Sequence, residues 1–280
     1  MSEPRVRHRR RRRRGRRSER ARAVILLPNL ITSAALLLGF WSIILSAQQQ
    51  FERAALCIVL AAVCDMLDGR IARATNSATP FGVEYDSLSD LVSFGLAPSL
   101  LIYHWVLVPL GPRGWLIAGL FTLCAALRLA RFNVRAQAEE SLYYQGLPTT
   151  AAGAMVAVTV WFVSWLGPSL QGTWFAFEGP PFGRLPGALL TTGFAVLALL
   201  MVSSLPYPSL KLIRIEGRRA YPTLVAVVLF SVALLLNHEW MFFALGAIFL
   251  LSGPAVWWRR RYREARQLAP AEAHEERVDG

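Results

Sequence analysis

The sequence predicts an all-α protein, a polytopic membrane helix bundle of about eight transmembrane helices. Of the 280 residues, 54% are hydrophobic and 17% are charged, and the mean hydropathy is +0.39. The charge is also unevenly placed, because residues 1–22 contain 12 of the 30 Lys and Arg residues and residues 259–266 contain another five. Such long uncharged stretches are typical of an integral membrane protein and exclude an ordinary soluble domain.

Eight apolar windows of the chain are candidate spans. They cover residues 23–46, 52–74, 82–108, 114–134, 148–167, 186–205, 221–237 and 239–257. The last two are separated only at residues 237–239, which leaves either a tight hairpin or a partly re-entrant segment. If the N-terminus lies inside, so do the turns at 75–81, 135–147 and 206–220, and the last of these holds Lys211, Arg214, Arg218 and Arg219. The opposite loops hold one arginine each, so the positive-inside bias predicts that both termini are cytoplasmic.

The two charged ends define the predicted domain limits. Residues 1–22 are expected to be a disordered arginine-rich cytoplasmic tail, residues 23–258 the membrane domain, and residues 259–280 a basic and then disordered cytoplasmic tail. The run Arg9 to Arg14 could also form a nucleic-acid patch. Because the tail adjoins a membrane domain, we expect it to set topology and to contact lipid head groups, with no nucleic-acid partner.

Four aspartates interrupt the second and third windows: Asp65, Asp68, Asp86 and Asp90. A carboxylate near the middle of a membrane helix costs roughly 2.5–3.5 kcal/mol, so the group requires compensating charge or water. A short cytoplasmic turn at residues 75–81 makes the two helices antiparallel and can bring their acidic faces together. Four hard oxygen donors without His or Cys favour Mg²⁺ or Mn²⁺ over zinc, and they can hold two ions that clamp a diphosphate.

Small and basic residues near the aspartates are compatible with the same substrate. Gly69 and Gly82 leave room for a nucleotide or diphosphate to approach the backbone, and Arg73 offers a planar donor group for phosphate or base. Each also has a structural explanation, because glycines permit close helix packing and an arginine at a helix end can extend toward the interface.

The complete pattern, D-x2-D-G-x2-A-R-x8-G-x3-D-x3-D, runs from Asp65 to Asp90 and resembles the signature of the CDP-alcohol phosphotransferase family. The resemblance implies that Asp65, Asp68 and Asp86 bind two divalent cations. It implies that Asp90 is the general base on the acceptor hydroxyl and takes part in the second metal site. A homodimer is implied by the resemblance alone.

The resemblance also implies a binding site for the cytidine nucleotide. Its residues are Gly69, Arg73, Thr79 and Gly82, together with Asn29 and Thr32 in the segment at residues 28–32. Asn29 and Thr32 have an alternative role as helix-start residues that satisfy free backbone donors.

Within the family, the segments at residues 86–98, 128–133 and 146–148 resemble phosphatidylserine synthases. The implied reaction joins CDP-diacylglycerol and L-serine to give phosphatidylserine and CMP at the cytoplasmic face of the inner membrane. Arg128, Arg131 and Asn133 are the candidates for binding serine, although arginines at an inner helix end are also expected from topology alone. The chain departs from many relatives in its arginine-rich tail and at Thr149 and Thr150, and neither departure is expected to touch the catalytic residues.

Two other functions are compatible with the pattern. The same chemistry could use glycerol phosphate, inositol, inositol phosphate or a second phospholipid as the acceptor. Alternatively, intramembrane acids can form the pathway of a cation transporter. A transporter would more naturally have acids in several spans, whereas these aspartates lie in two adjacent ones.

Overall fold

The structure is a computed structural model that describes residues 5–75, 77, 79–136, 143–166, 184–208 and 238–275. Helices form almost all of it. The longer helices are α1 (Arg5–Ala47), α2 (Phe51–Ala74), α3 (Pro80–Asp90), α4 (Ala97–Ile102), α5 (Pro112–Ala136), α6 (Thr149–Leu166), α7 (Arg184–Val202) and α8 (His238–Glu275). The prediction of an all-α membrane protein is confirmed.

The third predicted span is one rod with two widened segments. A π-helical segment, Leu91–Leu96, follows α3 directly, and a second one, Tyr103–Leu107, follows α4 before a 3₁₀ turn, Val108–Leu110, ends the rod. Pro98 lies just after the first π segment and has no N–H for the helical ladder, which accounts for a local shift of the hydrogen-bond pattern. The shift begins immediately after Asp90 and therefore borders the acidic residues.

Hydroxyl groups tie α1 to its neighbours at places where the side chains are small. Ser42 donates to the carbonyl of Ala54 in α2 at 2.9 Å. Two serines of the third span donate back to α1, Ser89 to the carbonyl of Thr32 at 3.1 Å and Ser93 to that of Ala35 at 3.0 Å. Because these donors bond to helix carbonyls, the three helices approach each other closely without leaving a buried hydroxyl unsatisfied.

A two-stranded antiparallel ribbon connects the ends of α5 and α7. It consists of β1 (Tyr143–Gln145) and β2 (Pro206–Pro208). Gly146 follows β1 with a φ of +80°, a conformation that favours glycine. The N–H of Leu147 then donates to the carbonyl of Leu200 at 3.0 Å. This ribbon fixes the point at which α6 begins.

Within the described residues, five helical segments are long and apolar enough to cross a membrane: Leu26–Ala47, Pro80–Leu110, Pro112–Val134, Thr149–Leu166 and Trp240–Arg259. Gly187–Val202 is apolar but shorter. Helix α2 has 24 residues and is long enough to span, but it carries Asp65, Asp68 and further charged side chains. The predicted span at 221–237 lies outside the described residues. The structure thus supports an integral membrane protein without confirming the count of eight.

Both terminal helices extend beyond their predicted spans. Helix α1 begins at Arg5 and so includes most of the arginine-rich segment, and α8 continues to Glu275. Helical backbone therefore continues into both segments that the sequence assigned to tails. Arginine, alanine and glutamate have good helix propensity, and a segment that continues an existing helix does not bear the cost of nucleation.

Candidate active site

The acidic residues come together because α2 and α3 are joined by a short turn. Thr79 caps α3, accepting a hydrogen bond on its Oγ1 from the N–H of Gly82 at 3.0 Å, and Pro80 occupies the first turn of the helix. A threonine cap followed by proline is a favourable helix start. The carboxyl groups in the second half of α2 and in α3 therefore converge as the sequence predicted, while the two helices themselves both pack against α1.

Three carboxyl groups form the centre of the site. One oxygen atom each from Asp65, Asp68 and Asp86 lies within 4.8 Å of the other two. The side chain of Asp90 lies close enough to Asp65 to affect its carboxyl group. The structure therefore groups three of the four predicted metal ligands tightly and places the fourth next to one of them.

This donor set fits a hard divalent cation. All the grouped donors are carboxylate oxygens, the ligands that Mg²⁺ and Mn²⁺ prefer. Among the described residues, the charge of Arg73 acts on Asp68 and that of Arg128 on Asp90. Because like charges repel strongly in a partly desolvated site, a bound cation would relieve repulsion that these arginines leave uncompensated.

Two threonines from other helices support the acidic cluster. The hydroxyl of Thr32 lies 2.7 Å from Oδ2 of Asp68, and that of Thr150 donates to Oδ2 of Asp65 at 3.3 Å. The expectation that Thr150 does not touch the catalytic residues is therefore wrong. The physical reason is that the ribbon before α6 places the first turn of α6 against α2.

The residues predicted to bind the nucleotide lie around one end of the cluster. The side-chain oxygens of Thr79 and Asn29 would lie 3.1 and 3.3 Å from a Cβ added to Gly82. The guanidinium of Arg73 lies over Gly69, 3.5 Å from the position that a Cβ would occupy there. Asn29 and Thr32 lie well inside α1, which begins at Arg5, so they are not helix-start residues.

A polar pair that the sequence analysis missed adjoins this end. Ser33 donates to the carbonyl of Asn29 at 2.8 Å, and its hydroxyl lies 2.8 Å from that of Tyr85. Tyr85 also stacks on Phe81, with 5.9 Å between ring centroids. The position of Tyr85 next to Asp86 in the sequence could have indicated a role at the site. Its partner Ser33 on α1 is seen only in the folded structure.

The three residues predicted to bind serine occupy different surroundings. Arg128 is buried, its charge acts on Asp90, and its Nη1 donates to Oγ1 of Thr149 at 3.5 Å. The side-chain amide of Asn133 donates to Ser87, next to Asp86, at 2.9 Å. Arg131 donates from Nη1 to the carbonyl of Val202 at 2.8 Å and thereby joins α5 to the end of α7. Arg128 is thus the arginine of this group that the structure brings to the acidic residues.

Comparisons with known proteins agree with this arrangement. The family model described as CDP-alcohol phosphatidyltransferase matches residues 25–201. A CDP-diacylglycerol–serine O-phosphatidyltransferase of Helicobacter pylori is 37% identical over 190 residues, which are 68% of this chain and 74% of the relative.

Two archaeal relatives are similar over a comparable length. An archaetidylserine synthase of Methanothermobacter thermautotrophicus is 34% identical over 70% of this chain and 73% of its own. A CDP-diacylglycerol–serine O-phosphatidyltransferase of Methanocaldococcus jannaschii is 30% identical over 77% of this chain and 84% of its own. Since the matched region contains the whole acidic cluster and its supporting threonines, the chain belongs to the CDP-alcohol phosphatidyltransferase family and is a transferase.

Proposed function

We propose that this chain transfers the phosphatidyl group of CDP-diacylglycerol to L-serine, giving phosphatidylserine and CMP. The observation that carries the proposal is the grouping of oxygens from Asp65, Asp68 and Asp86 within 4.8 Å of one another. Asp90 interacts with Asp65, and the charge of Arg128 acts on Asp90. The relatives from Helicobacter pylori and Methanothermobacter thermautotrophicus are named as serine-using enzymes, which supports serine as the acceptor.

Asp65, Asp68 and Asp86 are the residues that would hold two divalent cations, Mg²⁺ or Mn²⁺, with Asp90 sharing the second. Such ions supply charge stabilisation to a diphosphate and to the leaving oxygen of an in-line displacement. The nucleotide end of the substrate would lie against Gly69, Gly82 and neighbouring polar residues, namely Asn29, Thr32, Arg73 and Thr79.

In the proposed reaction, Asp90 accepts the proton of the serine hydroxyl. The serine oxygen forms a bond to the phosphorus that carries diacylglycerol, and the bond from that phosphorus to the oxygen of CMP breaks. The proton later leaves Asp90 for water. A carboxylate positioned in this way typically contributes about 10²–10⁴-fold to the rate as a general base.

Serine binding is assigned first to Arg128. Serine carries a carboxylate, for which a planar guanidinium is the best partner among side chains. Arg128 approaches the proposed base, so a carboxylate held there would bring the serine hydroxyl toward Asp90. Asn133 and Arg131 are further candidates for the same site.

The proposal extends to the whole chain. Eight spans would carry a catalytic membrane domain at residues 23–258, between the cytoplasmic segments 1–22 and 259–280. The site would face the cytoplasm from the inner membrane, where CMP is released. We also propose that the protein is a homodimer.

An acceptor panel tests the function. Protein purified in detergent is given CDP-diacylglycerol and Mn²⁺ or Mg²⁺ with serine, glycerol phosphate, inositol or inositol phosphate, and CMP release is measured. Serine should give the fastest release, and EDTA should abolish it until metal is restored. If another alcohol gives faster CMP release, that alcohol and not serine is the acceptor. No CMP release with any alcohol would overturn the transferase reaction proposed for this site.

A further inference from the structure

The first two residues of α6 lie against residues of the proposed site on two other helices. The hydroxyl of Thr150 donates a hydrogen bond to Oδ2 of Asp65, and the buried hydroxyl of Thr149 lies 3.5 Å from Nη1 of Arg128. Asp65 is 85 residues away from Thr150 in the sequence. One helix start therefore contacts both a proposed metal ligand and the proposed serine ligand.

The position of this helix start is fixed by the backbone. Gly146 and Leu147 donate their N–H groups to the carbonyls of Leu205 and Leu200 at 2.9 and 3.0 Å. Farther along α6, Gly153 packs against the backbone of Phe94. Because α6 is held on both sides of Thr150, its hydroxyl has a defined place relative to Asp65.

We infer that Thr150 is a positioning residue that orients the carboxylate of Asp65 for cation binding. A carboxylate oxygen that accepts one hydrogen bond from a hydroxyl group retains lone pairs for a cation. The hydrogen bond also restricts rotation of the side chain. Partners of this kind orient metal ligands, and their loss typically costs about 10–100-fold in metal affinity. The inference rests on the metal site of the proposed function.

The test is Mn²⁺ binding to the purified protein, measured by isothermal titration calorimetry without substrate. Thr150→Val removes the hydroxyl at nearly constant volume and should weaken Mn²⁺ binding about tenfold or more. Thr150→Ser should restore most of the affinity. Thr159→Val is the matched control on the same helix, because Thr159 donates only to the carbonyl of Met155 among its described partners.

The outcomes separate this inference from the proposed function. Unchanged Mn²⁺ affinity in Thr150→Val, equal losses in Thr150→Val and Thr159→Val, or no binding by the unchanged protein would each overturn the positioning role. If Thr150→Val weakens binding and Thr150→Ser restores it while the unchanged protein uses another acceptor, the positioning role holds and the serine reaction fails. A thermal unfolding curve of each metal-free variant confirms that the proteins compared are folded.

Discussion

Asp90 differs from the other three aspartates in its surroundings. It lies outside the group of three oxygens within 4.8 Å of one another, next to Asp65 and close to Arg128. A carboxylate at the edge of the acidic cluster is well placed to take a proton from an acceptor hydroxyl. These neighbours support the assignment of Asp90 as the base and of the other three as metal ligands.

Asp90→Asn should abolish turnover and retain nucleotide binding. The amide keeps the size of the side chain but cannot take the proton, so CMP release should fall by about 10²-fold or more. Binding of CMP with Mn²⁺, measured by calorimetry, should stay within a few-fold of the unchanged protein. Near-normal turnover would remove Asp90 from the role of base.

Arg128→Lys should selectively raise the KM for serine. Lysine keeps the charge but loses the planar pair of donors, which we expect to weaken carboxylate binding about tenfold. The KM for CDP-diacylglycerol should change much less. Arg113→Lys is the control, because Arg113 is exposed at the other end of α5. An equal rise of both KM values would indicate that Arg128 acts on the fold and not on serine.

At the scale of elements, close packing of α6 against the third span holds the site together. A Cβ added to Gly153 would lie 2.9 Å from both the Cα and the carbonyl oxygen of Phe94. The neighbour is backbone, which cannot move aside as a flexible side chain would. The π segment that contains Phe94 follows Asp90, so the same contact sets the distance between α6 and the proposed base.

Gly153→Ala should therefore destabilise the protein by about 1–3 kcal/mol through overpacking. Thermal unfolding in detergent measures the change. Gly193→Ala in α7 is the matched control, because a Cβ there meets no atom within 4 Å and alanine has the better helix propensity. Equal unfolding temperatures for the two variants would contradict the packing argument.

At the scale of the whole molecule, the apolar helices differ in how much of their surface is buried. The final span, Trp240–Arg259, has only 6% of its residues buried, against 61% for Pro80–Leu110. The buried rod carries Asp86 and Asp90, and the exposed helix lies at the periphery. Asp86 and Asp90 thus lie on the more buried of these two apolar helices.

Reporter fusions test the proposed topology. Green fluorescent protein should fluoresce when fused after residue 140 or residue 280, and alkaline phosphatase should be active after residue 175 or residue 238, because these sites alternate across eight spans. Fluorescence from the fusion after residue 238 would show that the last two windows do not both cross the membrane.

The sequence by itself determined the helical membrane class, the break between helices at residues 75–81 and the convergence of the aspartates. These depend on local properties, which are hydropathy, helix periodicity and a short turn with proline. The spacing from Asp65 to Asp90 was therefore sufficient to predict the centre of the site. The glycines and Arg73 followed from the same motif.

Only the tertiary structure decided which distant residues support that centre. Thr32 reaches Asp68 across 36 positions, and Thr150 reaches Asp65 across 85. It also separated Arg128, which approaches the acids, from Arg131, which bonds to the end of α7. Such contacts depend on how helices from remote parts of the chain pack, and helical periodicity specifies the face of each helix but not its neighbour.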